Sequence, residues 1–191
     1  AISGIKGLYL DKFRGKQSVL FSKILIHEIS QLSSLKYFAF LPENEEKQVA
    51  VINAKVKSYE VNDLQKFLQQ THISLLEKEV IKENPSGKNV IGRAFEFVEK
   101  PLTVRSIERT LYLEIDFQIT NSTGEKTLFS NIEKASLKQS YTGEENILLI
   151  PDKTGEMVHL AQLLIKKFLD RINPEKTEKI VVLEKGSEPI P

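Results

Sequence analysis

Apolar positions along this chain switch between two spacings, and the switches mark its elements. The run Ile5 to Phe13 (IKGLYLDKF) reads as a short strand, and Arg14 to Lys16, carrying Gly15, as a turn. From Ser18 to Leu32 the apolar residues Phe21, Ile24, Leu25, Ile29 and Leu32 recur every three or four positions and leave Lys23, Glu28 and Gln31 for solvent, which predicts an amphipathic helix. Lys36 to Leu41 (KYFAFL) predicts a strand stopped by Pro42, which has no N–H to give a ladder. Strand, helix and nearby strand in this order make a right-handed crossover if the two strands are parallel.

After the acidic connection Glu43 to Lys47 the spacing shortens to two. Ala50, Ile52, Ala54 and Val56 share one face of a half-buried strand over Gln48 to Val61, against Asn53, Lys55 and Lys57 on the other. Asn62 to Asn89 keeps no single period. Leu64, Phe67 and Leu68 fit a short helix, Ile73 to Lys82 either continues it or forms a strand, and Pro85, Ser86 and Gly87 end the segment. Leu111, Leu113, Ile115, Phe117 and Ile119 then alternate with Tyr112, Glu114, Asp116, Gln118 and Thr120, predicting a strand wet on one side. Asn121 to Gly124 predicts a hairpin turn, and Lys126 to Tyr141 the return strand.

The last strong signal is helical. Val158, Ala161, Ile165, Phe168 and Ile172 fall on one stripe, opposite Gln162, Lys166, Asp170 and Arg171. Asp152 and Thr154 are candidate N-caps, Glu156 suits the positive end of the helix dipole, and Pro174 marks the stop. Ile180 to Leu183 predicts a final strand, and 185–191, ending in Gly186 to Pro191 (GSEPIP), a linker to a following segment. Two helices that are each apolar on one side, with a sheet polar on its far side, predict an α+β fold. The expected architecture is a two-layer sandwich, two main helices packed on one face of a mixed, mostly antiparallel sheet, as a single domain over residues 1–184.

Composition narrows the function classes. With 191 residues, 40% hydrophobic and 28% charged, the chain can bury a sizeable core. Basic and acidic residues number 27 and 26, a net charge of +1, so no global field attracts nucleic acid or an anionic membrane. Cysteine is absent, which excludes disulfides, thiolate metal sites and a cysteine nucleophile. The chain starts at Ala1 and its one methionine is Met157, so a processed or excised piece is expected, with any leader and lipidated cysteine removed.

Candidate chemistry is sparse. Gly15 and Lys16 stand between a strand and a helix, as in a phosphate loop, yet Leu10 occupies the first glycine position and Gln17 separates Lys16 from Ser18. Weak anion binding by backbone amides at that helix start is weighed against an ordinary turn. His27, His72 and His159 have no paired spacing and read as surface histidines rather than ligands. Glu77 with Glu79, and Glu114 with Asp116, would each share a strand face, where acid–base work competes with plain solvated charge. Lys166, Lys167 and Arg171 near a helix end read as complements to the dipole, not as a nucleic-acid site. The reading therefore assigns no catalytic, cofactor-binding or metal-binding residues, and the chain is expected not to be an enzyme.

The segments IKGLYLDKF, QSVLFSKILIHEISQL, KYFAFL and VAVINAKVKSYEV, followed by the hairpin LYLEIDFQITNSTGEKTLFS and the helix-Pro-strand ending, resemble a family. They are similar to the α+β, anticodon-binding-like domain of bacterial envelope lipoproteins, among them the curli-secretion channel protein and the N-terminal domain of the Tol-Pal translocation protein. The similarity spans most of residues 5 to 183, with Asn62 to Pro101 as an insertion. It implies a periplasmic module lipid-anchored to the outer membrane, acting by protein–protein interaction or in envelope assembly and secretion. Its expected partners are an envelope protein or a second copy, met through a sheet edge or the insertion, with no nucleic acid and membrane contact only through a removed lipid anchor. The alternative is a small-ligand or lipid-binding α+β domain, whose sign would be a dry apolar cavity between helices and sheet.

Overall fold

A computed structural model of the chain describes residues 2, 4–43 and 48–173. Within them lie β1 (Gly7–Arg14), α1 (Ser18–Ser30), β2 (Lys36–Phe38), β3 (Val49–Glu83), β4 (Asn89–Thr120), β5 (Thr127–Thr142), α2 (Glu144–Leu148) and α3 (Lys153–Ile172). The strand expected at Ile180 to Leu183, the linker at 185–191, the stop at Pro174 and most of the Glu43 to Lys47 connection lie outside the described residues.

The strands form one sheet in the order β2-β1-β3-β4-β5. β1 is parallel to both its neighbours: Gly7 stands opposite Lys36 on one side and Val49 on the other. Asp11 is an extra residue in β1, since Leu10 pairs with Ile52 and Lys12 already with Asn53; this bulge locally disturbs the ladder. Between β3 and β4 each step forward on one strand meets a step back on the other. Lys66 reaches Glu108, Gln69 reaches Thr103 and Arg93 reaches Glu77, so the pair is antiparallel. Its turn closes where the Asn84 N–H donates to the Lys88 carbonyl at 2.9 Å. The β4–β5 turn closes likewise, Asn121 N–H to Lys126 carbonyl at 3.0 Å, with Gly124 at φ 78°.

These residues divide into two compact units, one drawn from Ala1–Asn62, Arg109–Gln139 and Pro151–Pro191, the other from Asp63–Glu108 and Ser140–Ile150. In the first, Leu8, Ala50, Ile52, Ala54 and the alternating set Leu111 to Ile119 bury one face of the sheet. Phe21, Ile24, Leu25 and Ile29 of α1 join Met157, Leu160, Ala161, Leu164, Ile165, Phe168, Leu169 and Ile172 of α3 in the same core. The buried stripe of α3 is thus wider than five residues, and Val158 lies at its half-exposed margin. Phe117 and Phe168 stack with centroids 3.9 Å apart and planes within 4°. Asp152 caps α3 by accepting the Gly155 N–H at 3.3 Å, while Thr154 lies inside the helix.

The expected two-layer α+β sandwich is overturned. Strand makes up 56% of the described residues and helix 23%, so the architecture is dominated by the sheet. The difference arises at residues 62–101. Leu64, Phe67 and Leu68, expected on a short helix, lie in β3, as does Ile73 to Lys82, and the turn at Pro85 to Gly87 joins two strands of 35 and 32 residues. Cross-strand pairing with a segment some forty residues away overrides the local spacing of three and four.

Candidate functional site

The histidines and acidic pairs singled out from sequence build no shared site among the described residues. His27, His72 and His159 are all exposed, on α1, β3 and α3 respectively. No three metal-ligating side chains cluster among the described residues. Glu77 pairs with Arg93 at 3.2 Å at an exposed site, with Glu79 exposed beside it. Glu114 accepts a hydrogen bond from the Tyr112 hydroxyl and lies 3.6 Å from Lys134. That bond, more than burial or the charges of Glu114 and Glu60, holds the Tyr112 phenol above its ordinary pKa.

Gly15 and Lys16 form a tight turn into α1. Gly15 takes φ 102°, and Gln17, at φ 59°, occupies the cap position without capping through its side chain. Lys16 Nζ sits 4.6 Å from the centroid of the Tyr59 ring. A depression of about 660 Å³ opens here, bordered by Lys16, Gln17, Tyr59, Lys153 and Thr154, so the first turns of α1 and α3 share it. Burial raises the Tyr59 pKa, with a smaller raising effect from Asp152, while a hydrogen bond with Thr154 opposes it.

Sequence reasoning missed two buried ionic clusters in the first unit. Arg109, 4% exposed, donates to the Pro151 carbonyl at 2.7 Å and lies 3.5 Å from Glu156, itself 9% exposed. Glu156, expected only to favour the helix dipole, thus ties the start of α3 to β4. Glu133, 1% exposed, accepts from Arg171 at 2.6 Å, with Lys167 at 3.8 Å. Lys167 and Arg171 answer this carboxylate as well as the helix end. The signal was present in β5, where Glu133 shares the inward parity of Phe129, Ala135 and Leu137. These clusters hold elements together, with both carboxylates buried.

Most of the exposed large apolar side chains among the described residues belong to the second unit. Past Lys55 no β1 residue pairs with β3, and β5 ends at Thr142, across from Ser106. Over residues 68–83 and 89–104 the sheet is therefore a two-stranded ribbon among the described residues. Such a ribbon is marginal in water by itself, and both of its edges present unpaired N–H and C=O groups. Its ion pairs and one side-chain hydrogen bond fix which residues share a face. Lys66–Glu108 and Lys78–Glu96 join even-numbered residues, whereas Arg93–Glu77 and Gln69–Thr103 join odd-numbered ones. Large apolar side chains stand on both faces: Leu64, Leu68, Leu76, Val90 and Leu102 on the even face are 39–55% exposed, and those on the odd face, including Phe95 and Phe97, are 56–77% exposed. In the same unit Arg105 grips Glu144 through two bonds of 2.8 and 2.7 Å, and the Gly143 N–H donates to the Arg105 carbonyl at 2.9 Å, which anchors α2.

No protein-family model matches the chain, and no curated protein matches it.

Proposed function

We propose that this chain is a non-catalytic assembly module of the bacterial envelope, whose working surface is the hairpin of residues 63–108. One observation carries the reading: a two-stranded ribbon whose edges have no strand beside them among the described residues exposes large apolar side chains on both faces, a surface that monomeric soluble proteins seldom leave to water. Partner strands can add to such an edge by backbone hydrogen bonding, with side-chain contacts setting specificity. The partner is an envelope protein or a second copy. The envelope setting, with a lipid anchor on a removed segment, belongs to the same proposal and rests on the resemblance of residues 5 to 183.

The small-ligand alternative needs a dry apolar cavity beneath α1 and α3. The Phe117–Phe168 stack packs α3 directly on β4, which favours the assembly reading. The test is the light-scattering mass of the chain, alone and after exposure to an envelope extract, beside a Phe95→Ser/Phe97→Ser variant. Self-association or stoichiometric retention of one envelope protein, lost in the variant, is the expected result. A concentration-independent monomer that retains nothing overturns the reading.

A further inference from the structure

We propose that the odd-numbered face of the hairpin packs on the same face of a second copy, as a two-fold dimer whose axis runs along the ribbon. This rests on the assembly reading above and names its partner and geometry. The two faces are not equivalent. Every large apolar residue that is exposed on the odd face is more open to water, at 56–77%, than any on the even face, at 39–55%. Six of the odd set, Ile73, Leu75, Ile81, Ile91, Phe95 and Phe97, lie toward the turn. Side chains of this size, each more than half exposed, leave on the order of 800 Å² to water, the area that each partner of a standard interface contributes.

Register decides the symmetry. With Gln69 reaching Thr103 and Asn84 bonded to Lys88, Leu75 stands across from Phe97, Glu79 from Arg93 and Ile81 from Ile91. An axis along the ribbon lays β3 of one copy over β4 of the other. Leu75 then meets Phe97, Ile81 meets Ile91 and Glu79 meets Arg93, while Glu77 falls on Phe95 and Ile73 on Glu99, so two apolar pairs and one opposite-charge pair form and no like charges meet. An axis across the ribbon lays β3 over β3 in reverse, which sets Glu77 and Glu79 on the same acids of the second copy or on Leu75, Ile73 and Ile81, and leaves Glu79 without an opposite charge in either case. Like charges in that position oppose association. The geometry therefore selects the first arrangement. Two sheets packed this way sit about 10 Å apart, with side chains interleaved.

The full chain, measured by light scattering over a concentration series, tests this. A dimer is expected. Phe95→Ser/Phe97→Ser should weaken it at least tenfold, and Leu76→Ser/Leu102→Ser on the even face should leave it unchanged. Glu79→Arg and Arg93→Glu should each be monomeric alone and dimerise when mixed, because the mixture restores both opposite-charge pairs; this also rules out misfolding as the cause of dissociation. A monomer at all concentrations, an assembly larger than two, equal loss from the even-face variant, or failure of the mixture to associate overturns the proposal. If the wild type is monomeric yet the Phe95/Phe97 variant loses a retained envelope protein, only the second-copy geometry falls. Loss of both removes the assembly reading as well.

Discussion

Arg105 and Glu144 form a two-bonded ion pair across 39 residues of sequence, at 2.8 and 2.7 Å, which seats the start of α2 against β4 within the second unit. The Arg105 hydrogen bond is the main cause that lowers the Glu144 pKa; desolvation opposes it, and the guanidinium charge adds a smaller lowering effect. The same bond raises the Arg105 pKa.

A carboxyl whose folded pKa is depressed adds stability above its unfolded pKa and loses it as pH falls through the folded value. Anchoring of α2 should therefore be intact at neutral pH and weaken only below the usual carboxylate range. Limited proteolysis at 143–150 should rise in that acid window, and Glu144→Gln should show the raised cleavage at pH 7 with little further acid dependence. An unchanged acid dependence in the variant would assign it to another group.

Arg109 should matter more to stability than any surface charge. Arg109→Ala leaves Glu156 buried without its guanidinium and the Pro151 carbonyl without its donor, so a loss of about 3–5 kcal/mol is expected in urea unfolding. Arg109→Met/Glu156→Leu removes both charges together and should lie closer to wild type. A double variant as unstable as the single one would show that packing at this site outweighs the uncompensated charge.

Phe168→Ala removes a ring that stacks on Phe117 and meets Phe129 with centroids 5.8 Å apart. A fully buried phenylalanine cut to alanine costs about 3–5 kcal/mol. Thermal unfolding of the first unit should show it, whereas Phe97→Ala, 77% exposed, should leave that transition in place.

Gly15→Ala tests the turn into α1. An added Cβ would meet the Val56 side chain at 2.9 Å and its carbonyl at 3.0 Å, at a φ of 102° that L residues rarely adopt. A loss of at least about 1–3 kcal/mol follows from strain alone. Gly124→Ala, also at positive φ but with nothing within 4 Å, should cost less in the same denaturation series.

Where an element buries one face, its period could be read from the chain. The alternation of Leu111 to Ile119 and the three-and-four spacing of Phe21 to Ile29 follow directly from side chains that must reach a single core. The cap at Asp152 was legible for the same local reason, a short acceptor one turn before an amide that lacks a helical partner.

Residues 62–101 had no such face. With apolar groups on both sides of the ribbon, neither period dominates. The helix-like spacing of Leu64, Phe67 and Leu68 therefore stood unopposed until Lys66 found Glu108 and Gln69 found Thr103. The candidate surface was legible as a location, the Asn62 to Pro101 insertion, and not as a hairpin. Likewise Arg109 with Glu156, and Glu133 with Arg171, are partners 47 and 38 positions apart, and only packing of α3 on the sheet brings them together. Local periodicity determined which segments bury a face; long-range strand pairing and helix docking decided the sheet's dominance, the buried charges and the surface left open, because those depend on neighbours that the local sequence does not name.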